Sequence, residues 1–452
     1  MSAGSLSRVA VLTDGRLYGG DASWSGVSTD TRVLQAGQLF IGLNGPNFRG
    51  ADFASDAMAK QASAAVVDRN VDPSLPHVVV HDTKHALGII ATDWRDRFSK
   101  PVIGVTGSNG KTTVKQLIAA LLGPQAYATP GNFNNDIGVP LSLLGLASSH
   151  SGAVIEMGAN ALGEIAYLTS LVRPDVGLIT NAGPAHLEGF GSLDGVAAGK
   201  GELFYALGAD ATAIINRDDT YYEPWCDMAA PARIVSFGLH ESADFRATDC
   251  ELYVDRCEFV LHGPDFSGPV NLPLAGGHNV VNACAAAASV WAAGVAPDDL
   301  LARFAGVVAA PSRLRQLSTR SGNLLIDDSY NANPSSMRAA AGYATSLDGD
   351  VWMALGDMGE LGADAEQMHF ELGRALAELG VARLLATGEL MAQCVRGFGN
   401  NGEWFADHAA MIRHIDATLP AGAVLIVKGS RSARMETVVA ALTADVAECH
   451  DA

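Results

Sequence analysis

Short apolar runs rich in valine, isoleucine and leucine alternate along this chain with alanine-rich stretches of helical periodicity. Such alternation is typical of a mostly parallel β-sheet covered by helices, because strands buried on both faces read as continuous apolar runs. The pattern therefore predicts an α/β fold. No unit of roughly 20 to 50 residues recurs, which argues against a solenoid or a propeller. No apolar run approaches the ~18 residues that a membrane span needs.

The predicted strands end in a common way, with polar and glycine residues directly after the apolar run. In the first half, VIGV precedes TGSNGK, AVIE precedes MGAN and VGLIT precedes NAGPAH; in the second, NLLID precedes DSYNANP, VWMAL precedes GDMGE and VLIV precedes KGSR. Open α/β sheets bind ligands in the crevice beyond the carboxyl ends of their strands. These segments are therefore the first candidates for a functional site.

The length of the chain and two changes in its local composition indicate several domains. At 452 residues, three domains are expected from the usual size of about 150 residues per domain. The text up to His81 is turn-rich, and after a proline-containing stretch at 297–313 a fresh series of strands and helices begins at Leu324. We predict a small N-terminal α/β domain at 1–82, a central domain with a phosphate loop at 83–310, and a C-terminal domain at 311–452.

Residues 101–113, PVIGVTGSNGKTT, combine a predicted strand, a glycine-rich loop and the start of a predicted helix. Gly107, Gly110, Lys111 and Thr112 fit the end of a Walker A loop. Glycines let consecutive N–H groups approach phosphate oxygens, the lysine neutralises those oxygens, and the threonine hydroxyl reaches Mg²⁺. The full pattern has a glycine where Val105 stands. We interpret the segment as a variant phosphate loop rather than a plain turn.

Composition narrows the classes of partner. With 30 Lys and Arg against 49 Asp and Glu, the formal charge is −19, which argues against a protein that coats nucleic acid and restricts phosphate binding to a local site. The six cysteines are scattered without a CxxC pair, so we expect reduced thiols and no zinc or disulfide framework. The first residues lack the features of a secretory signal. We therefore expect a cytoplasmic protein.

Three further residues are candidates for metal or anion chemistry. Glu156 is predicted at a strand terminus, where a carboxylate can hold Mg²⁺ against phosphates. His186 follows a buried strand in a glycine-rich loop, and Lys200 lies in a helix candidate among small residues. Each also fits an ordinary role, as a capping carboxylate, a hydrogen-bonded loop histidine and an exposed helix lysine.

Nine segments, in order along nearly the whole chain, resemble the Mur ligase family. They are TGSNGKTT (106–113), TPGNFNNDIGVPLSLL (129–144), IEMGAN (155–160), TNAGPAHLEGFGS (180–192), GGHNVVNACAAAA (276–288), PSRLR (311–315), DDSYNANPSSM (327–337), GDMGELG (356–362) and KGSR (428–431). The resemblance implies an amide ligase in three domains. An N-terminal module would bind the uridine diphosphate end of the substrate, a central ATPase would activate it, and a C-terminal Rossmann-like domain would bring the amine.

Two of these segments, DDSYNANP and GDMGELG, resemble one branch of the family in particular. For that branch the resemblance implies UDP-N-acetylmuramoyl-tripeptide and D-alanyl-D-alanine as substrates, with ATP, Mg²⁺ at two sites, and CO₂ held as a carbamate on Lys200. Nucleic acid and membrane insertion have no part in this chemistry, and we expect a monomer. The third residue of the tripeptide, diaminopimelate or lysine, stays open.

The resemblance also implies roles for individual residues. Those expected in catalysis are Lys111, Lys200, His186 and Glu156, and those expected at the metal are Thr112, Glu156, His186 and Lys200. Those expected to bind the nucleotide are Gly107, Ser108, Asn109, Gly110, Lys111, Thr112, Thr113, Asn279, Asn282, Arg313 and Asp328. Those expected to bind the substrates are Ser28, Asp30, Arg32, Asn47, Asn134, Asn135, Asn331, Asp357 and Lys428.

Two positions depart from the family pattern. Ala51 stands where a histidine is frequent, which affects the expected contacts to uridine diphosphate, and Ser312 stands where a glycine is common, which affects a turn. The base that takes the proton of the attacking amine is not assigned, with Asp357 as one candidate.

Other functions also fit part of the pattern. One is a different Mur-type ligase, or a relative that resembles folylpolyglutamate synthetase. Another is a nucleotide-dependent switch without ligation, which leaves Lys200 and His186 without a role.

Overall fold

The computed structural model of the chain describes residues 4–308 and 312–443, which form three β-sheets surrounded by helices and a separate two-stranded ribbon. The strands of the three sheets lie within residues 16–79, 102–272 and 315–428. These layers confirm the predicted α/β class. The predicted boundary between residues 310 and 311 lies outside the described residues, as does the end of the third predicted domain, and the division of the chain at 82 and 310 stays a prediction.

The N-terminal sheet is small and mixed. Its part of the chain contains β1 (Gly4–Ser5), α1 (Leu6–Leu12), β2 (Arg16–Tyr18), β3 (Ser23–Trp24), β4 (Val27–Ser28), β5 (Leu39–Ile41), a 3₁₀ helix (Gly50–Phe53), α2 (Ala54–Ala59), β6 (Ala64–Val67) and β7 (His77–Val79). Strands β4, β5, β6 and β7 pair in parallel, and β2 joins β7 antiparallel. The ribbon consists of β1 and β3.

The central sheet has nine strands in the described part of the chain. Its elements are α3 (Thr83–Arg95), β8 (Val102–Thr106), α4 (Lys111–Leu122), β9 (Tyr127–Ala128), α5 (Gly138–Leu144), β10 (Ala153–Glu156), α6 (Glu164–Val172), β11 (Val176–Ile179), α7 (Leu187–Phe190), α8 (Leu193–Tyr205), β12 (Thr212–Asn216), α9 (Tyr222–Ala229), β13 (Arg233–Gly238), β14 (Phe245–Leu252), β15 (Cys257–Gly263), β16 (Phe266–Leu272), α10 (Gly277–Ala292), α11 (Pro297–Arg303) and a 3₁₀ helix (Phe304–Gly306). The strand order is β9, β10, β8, β11, β12, β13, β14, β15, β16.

The C-terminal sheet has six strands in the order β17, β18, β22, β19, β20, β21, with β17 antiparallel and the others parallel. Its elements are β17 (Arg315–Ser318), β18 (Leu324–Asp328), α12 (Pro334–Ala344), β19 (Val351–Gly356), a 3₁₀ helix (Gly362–Asp364), α13 (Ala365–Glu378), β20 (Arg383–Thr387), α14 (Met391–Phe398), β21 (Gly402–Phe405), α15 (His408–Thr418), β22 (Val424–Lys428), a 3₁₀ helix (Arg431–Ala433) and α16 (Glu436–Leu442).

The central strands are apolar except at their end residues, because helices cover both faces of the sheet. Every residue of β8, β10, β11 and β12 is buried. One face packs against α4 and α10, and the other against α3, α5, α6 and α8. These strands pair in parallel, as predicted from the apolar runs. The chain passes from β8 to β9 and β10 on one side and then crosses to β11 on the other, which makes the carboxyl end of β8 a switch point where ligands bind in such sheets.

The N-terminal part and the central sheet share one apolar core. Trp24 of β3 packs against Trp94 of α3, with ring centroids 5.5 Å apart. The neighbouring Arg95 is buried, and its guanidinium donates hydrogen bonds to the carbonyl oxygens of Val172 (2.9 Å), Phe98 (2.9 Å) and Arg173 (3.0 Å). This side chain therefore ties the end of α3 to the end of α6. Among residues 4–308 and 312–443, no helix has the length and apolar character needed to cross a bilayer.

Replacing Arg95 with alanine is expected to destabilise the fold by about 3 kcal/mol, because three carbonyl oxygens, two of them in buried hydrogen bonds, lose charged donors. For a domain of about 150–250 residues, each kcal/mol changes the melting temperature by roughly 2–4 °C. We therefore expect the melting temperature to fall by more than about 5 °C. Arg97→Ala is the matched control, since Arg97 is exposed, and its guanidinium pairs with Asp93 and lies over the Trp94 ring without binding a carbonyl group in the described residues. Equal melting temperatures for the two variants, measured by calorimetry, would contradict this role of Arg95.

Candidate active site

The carboxyl ends of β8, β10 and β11 open into one cavity of about 1520 Å³. The start of α10 forms a second wall. The C-terminal sheet forms a third, with Arg313 just before β17, Asp328 at the end of β18 and Lys428 at the end of β22. The cavity therefore lies at the switch point of the central sheet and takes side chains from two of the three sheets.

The phosphate loop joins β8 to α4 and depends on two glycines. Gly107 has a φ of 139° and Gly110 a φ of 80°, both in the left-handed region that favours glycine. A Cβ on Gly107 would lie 2.0 Å from the Thr180 hydroxyl, and one on Gly110 would lie 2.7 Å from Oδ1 of Asn282. Helix α4 begins at Lys111, so the unpaired N–H groups of its first turn lie at the cavity wall, as anion binding requires.

Val105, at the place of the first Walker A glycine, belongs to β8 and is buried. It pairs in register with Glu156 of β10 and with Leu178 of β11. Because the chain leaves the strand only after Thr106, no turn occurs at position 105 and no glycine is needed there.

Lys111 extends over its own loop. Its Nζ donates hydrogen bonds to the carbonyl oxygens of Gly107 (2.6 Å) and Ser108 (3.3 Å). Burial lowers the pKa of Lys111; the Glu156 carboxylate opposes this shift and the charge of Arg313 adds to it. The loop thus places a cation in a cavity that also contains Arg313.

Glu156, the last residue of β10, lies at the centre of a buried polar cluster. Its Oε2 accepts a hydrogen bond from the Thr112 hydroxyl at 3.1 Å and pairs with Lys115 Nζ at 3.1 Å, and its Oε1 accepts one from Asn134 Nδ2 at 2.9 Å. Burial alone would raise the pKa of Glu156, but the charges of Lys115 and Lys111 and the bond from Asn134 outweigh it, so the pKa is lowered. The carboxylate is therefore held in its anionic form.

The Thr112 and Glu156 oxygens fit one Mg²⁺ ion. Adjacent ligands of an octahedral Mg²⁺ with bonds of 2.0–2.1 Å lie about 2.9 Å apart, close to the 3.1 Å between these two atoms. For a second Mg²⁺ ion, the described residues offer fewer ligands. The described residues contain no group of three or more His, Cys, Asp and Glu side chains arranged for a metal, and an unmodified lysine is no ligand for Mg²⁺.

His186 precedes α7 with a φ of 55°, and its Nδ1 contacts the carboxylate of Glu360 from the loop after β19. Burial lowers the pKa of His186; Glu360 opposes the shift, and the charges of Lys111 and Lys200 add to it. The imidazole is therefore biased towards its neutral form, and this contact joins the central and C-terminal sheets.

Lys200 is buried in α8 with 1% of its surface exposed. Its Nζ donates to the carbonyl oxygen of Ala159 at 3.2 Å and lies 5.0 Å from the centroid of the Phe190 ring. Burial, followed by the charge of Lys111, lowers the pKa of Lys200 to about 7. A large part of the amine is therefore neutral near pH 7, and the neutral amine is the form that reacts with CO₂.

Arg313 crosses from the C-terminal side of the cavity to the phosphate loop. Its Nη2 donates a hydrogen bond to the Thr112 hydroxyl at 3.0 Å, and its guanidinium lies 4.4 Å from the centroid of the Tyr330 ring. Nearby, Lys428 Nζ pairs with Asp328 at 2.6 Å and donates to the carbonyl oxygen of Asn331 at 2.8 Å. The C-terminal wall thus brings two cations and a carboxylate to the cavity.

Comparison with known proteins decides the family. Residues 105–290 match the Mur ligase middle domain, and residues 312–431 match the Mur ligase, glutamate ligase domain. Over 443 residues the chain is 42% identical to the UDP-N-acetylmuramoyl-tripeptide–D-alanyl-D-alanine ligase of Escherichia coli K12, with 97% of this chain and 98% of that relative covered. The chain belongs to the Mur ligase family.

Solved structures of Mur ligases have the same fold. A crystal structure of MurF from Acinetobacter baumannii superposes with a TM-score of 0.91 at 35% identity, covering 97% of this chain and 98% of that one. The MurF ligase of Thermotoga maritima, crystallised in complex with ADP, gives a TM-score of 0.82 at 26% identity, covering 92% and 96%.

Most site residues implied by the Mur ligase resemblance meet in the cavity. Those that line it are Ser108, Asn109, Gly110, Lys111, Thr112, Thr113, Asn134, Asn135, Glu156, His186, Asn279, Asn282, Arg313, Asp328, Asn331 and Lys428. Gly107 and Lys200 lie directly behind the wall, against Thr180 and Ala159. Their roles in this Mur ligase stay predictions.

Five predicted substrate residues are not part of the cavity lining. Ser28, Asp30, Arg32 and Asn47 lie on the N-terminal part, where Asp30 and Arg32 form an exposed ion pair at 2.6 Å. Asp357, the candidate base, accepts a hydrogen bond from the Met391 N–H at 2.9 Å, and its carboxylate faces Gly388. The roles of these five residues in substrate binding stay predictions.

Lys115 and Glu360 are among the charged residues of this Mur ligase site that sequence reasoning missed. Lys115 follows Lys111 by one helical turn, and this spacing was a readable signal that both side chains lie on one face of α4. Glu360 lies in the quoted GDMGELG segment, but nothing local indicates its contact with His186.

Proposed function

We propose that this protein joins D-alanyl-D-alanine to UDP-N-acetylmuramoyl-tripeptide in an ATP-dependent reaction, in cytoplasmic peptidoglycan precursor synthesis. The name of the Escherichia coli relative supports these substrates. The observation that carries the proposal is the hydrogen bond between Arg313 and Thr112, because it brings the C-terminal wall onto the phosphate loop in one cavity. Two reactants bound on different sheets can meet there.

The first step activates a carboxylate that is inert towards amines. An oxygen of the tripeptide carboxylate attacks the γ-phosphorus of ATP, and the bond from this phosphorus to the β-phosphate oxygen breaks. The products of this step are ADP, which is the leaving group, and an acyl phosphate. The main obstacle is repulsion between two anions, which Lys111 and the first-turn N–H groups of α4 reduce by binding phosphate oxygens. Mg²⁺, held by Thr112 and Glu156, would screen the same charge when bound.

The second step forms the amide. The neutral amine nitrogen of D-alanyl-D-alanine attacks the acyl carbon, the carbon–oxygen bond to phosphate breaks, and inorganic phosphate leaves while a base accepts the amine proton. That base stays unassigned, and Asp357, which lies outside the cavity lining, remains one candidate for it. Water attacking the same carbon would waste the acyl phosphate, so the C-terminal wall must close before this step.

We further propose that Lys200 carries a carbamate that completes a second Mg²⁺ site. The support for this carbamate is the burial of the Lys200 amine, its lowered pKa and its place behind Ala159 of the cavity wall.

The proposed function also includes a division of the chain into three domains, at 1–82, 83–310 and 311–452, and a monomeric state.

The function is tested with the purified protein, ATP and pairs of substrates. Phosphate release and a product of the expected mass are expected with UDP-N-acetylmuramoyl-tripeptide plus D-alanyl-D-alanine. Single amino acids or folates in place of the dipeptide and tripeptide are expected to give neither. Running both tripeptides, with diaminopimelate or lysine, identifies the third residue. Turnover with single amino acids or folates alone would favour another Mur-type ligase, and nucleotide binding without substrate-dependent turnover would favour a switch.

A further inference from the structure

Asn109 is fixed to the central sheet through its main chain. Its N–H donates a hydrogen bond to Oδ1 of Asn181 at 3.0 Å. Its carbonyl oxygen accepts one from the Thr180 hydroxyl at 2.6 Å and one from Nδ2 of Asn181 at 3.2 Å. Because Thr180 and Asn181 directly follow β11, this part of the phosphate loop moves with the central sheet.

The side chain of Asn109 leaves the loop and binds the C-terminal wall. Its Nδ2 donates to the Ser335 hydroxyl at 2.9 Å, the Ser335 hydroxyl donates to Oδ1 of Asn333 at 3.0 Å, and Nδ2 of Asn333 donates back to Oδ1 of Asn109 at 2.7 Å. Donors and acceptors match in one direction around this ring of three hydrogen bonds. The amide of Asn109 is therefore used by protein partners at both of its ends.

The ring is tied to the start of α12. Asn333 is the N-cap of α12, and its Oδ1 also accepts the N–H of Ser336 at 2.9 Å. The segment just before it contains Asp328 and Asn331 of the cavity wall. The ring packs closely on Gly183, since a Cβ there would lie 3.3 Å from Nδ2 of Asn109 and 3.4 Å from the Ser335 hydroxyl. Movement of α12 away from the phosphate loop must break this ring.

We propose that Asn109 is a positioning residue that holds α12 and the C-terminal wall over the phosphate loop while the acyl phosphate is consumed. The inference rests on the proposed function. In this proposal the side chain of Asn109 acts on the second step, because the C-terminal wall decides whether the amine or water reaches the acyl carbon. When water attacks, the carbon–oxygen bond to phosphate breaks, the carboxylate is regenerated, and phosphate is released without an amide.

Asn109→Ala removes both side-chain bonds of the ring. Because the loss of two modest hydrogen bonds corresponds to a change of about tenfold, we expect the rate of amide formation to fall about tenfold. The dissociation constant for ADP, measured by calorimetry, is expected to change less than about threefold. The ratio of phosphate released to amide formed is expected to rise above that of the unaltered protein. Ser335→Ala should act in the same direction, and the double variant should be little worse than either single one. Asn400→Ala, in an exposed turn, is the control expected to match the unaltered protein.

Three results would overturn the inference. ADP binding weakened about tenfold with an unchanged ratio of phosphate to amide assigns Asn109 to the phosphates instead. Unchanged rate and ratio leave the ring without a role, and additive effects of the two substitutions show that Asn109 and Ser335 act separately.

Failure of the proposed function is recognised separately. If the unaltered protein forms no amide, that function is wrong, and small-angle X-ray scattering in the presence of ADP then decides the inference alone. A larger radius of gyration for Asn109→Ala than for the unaltered protein supports the ring as the element that closes the wall, and equal radii overturn it.

Discussion

Lys111→Ala is expected to lower kcat/KM for ligation at least about 10³-fold, or ~4 kcal/mol of transition-state stabilisation. The reason is the place of its ammonium group, which bonds to the carbonyl oxygens of Gly107 and Ser108 in the middle of the phosphate loop. An anionic carboxylate must attack an anionic γ-phosphate there, and no other lysine belongs to the loop itself.

The measurement is phosphate release and amide formation, with circular dichroism to show that the fold is retained. Lys100→Ala is the matched control, because Lys100 is exposed and lies just before β8. Lys111→Arg should also be poorly active, since a planar guanidinium does not replace a compact ammonium in a close loop. Near-normal turnover of Lys111→Ala would remove the phosphate-loop assignment.

The parallel core of the central sheet could be predicted because its signal is local. The strands β8, β10, β11 and β12 are buried on both faces, so each reads as a continuous apolar run. The antiparallel extension from β14 to β16 was not predicted. Its signal is weaker than that of the parallel strands, because only buried and half-buried residues alternate along β15 and the strand has no continuous apolar run.

The candidate site divides in the same way. Gly107, Gly110 and Lys111 are adjacent in sequence, and their loop could be predicted from the phosphate chemistry that requires them. The contacts of Asn109 with Ser335 and of His186 with Glu360 join side chains that only the packing of two sheets brings together. No spacing rule relates such pairs, so sequence reasoning could name the segments but not the contacts.

Lys200→Ala is expected to lower the rate of ligation about 10²–10³-fold, as for removal of a group that orders charge at the reacting centre. Carbamate formation joins the neutral amine nitrogen to the carbon of CO₂ with loss of a proton, and it turns a cation into an anion. The charge of Lys111 lowers the pKa of Lys200 after the larger effect of burial. The same charge would attract the carbamate once formed, so the environment that disfavours the ammonium favours the modified side chain.

Truncation to alanine leaves a space beside Ala159 and Phe190, where formate or acetate can supply the missing carboxylate. We expect such acids to restore activity several-fold and saturably, whereas chloride at equal ionic strength does not. Lys200→Met is the matched control, because its side chain fills the space and should stay inactive with either acid. Nuclear magnetic resonance of the unaltered protein with ¹³C-labelled bicarbonate should show a carbamate signal that Lys200→Met lacks. Full activity of Lys200→Ala, or equal rescue of both variants, would end the carbamate proposal, because neither depends on a carboxylate at this position.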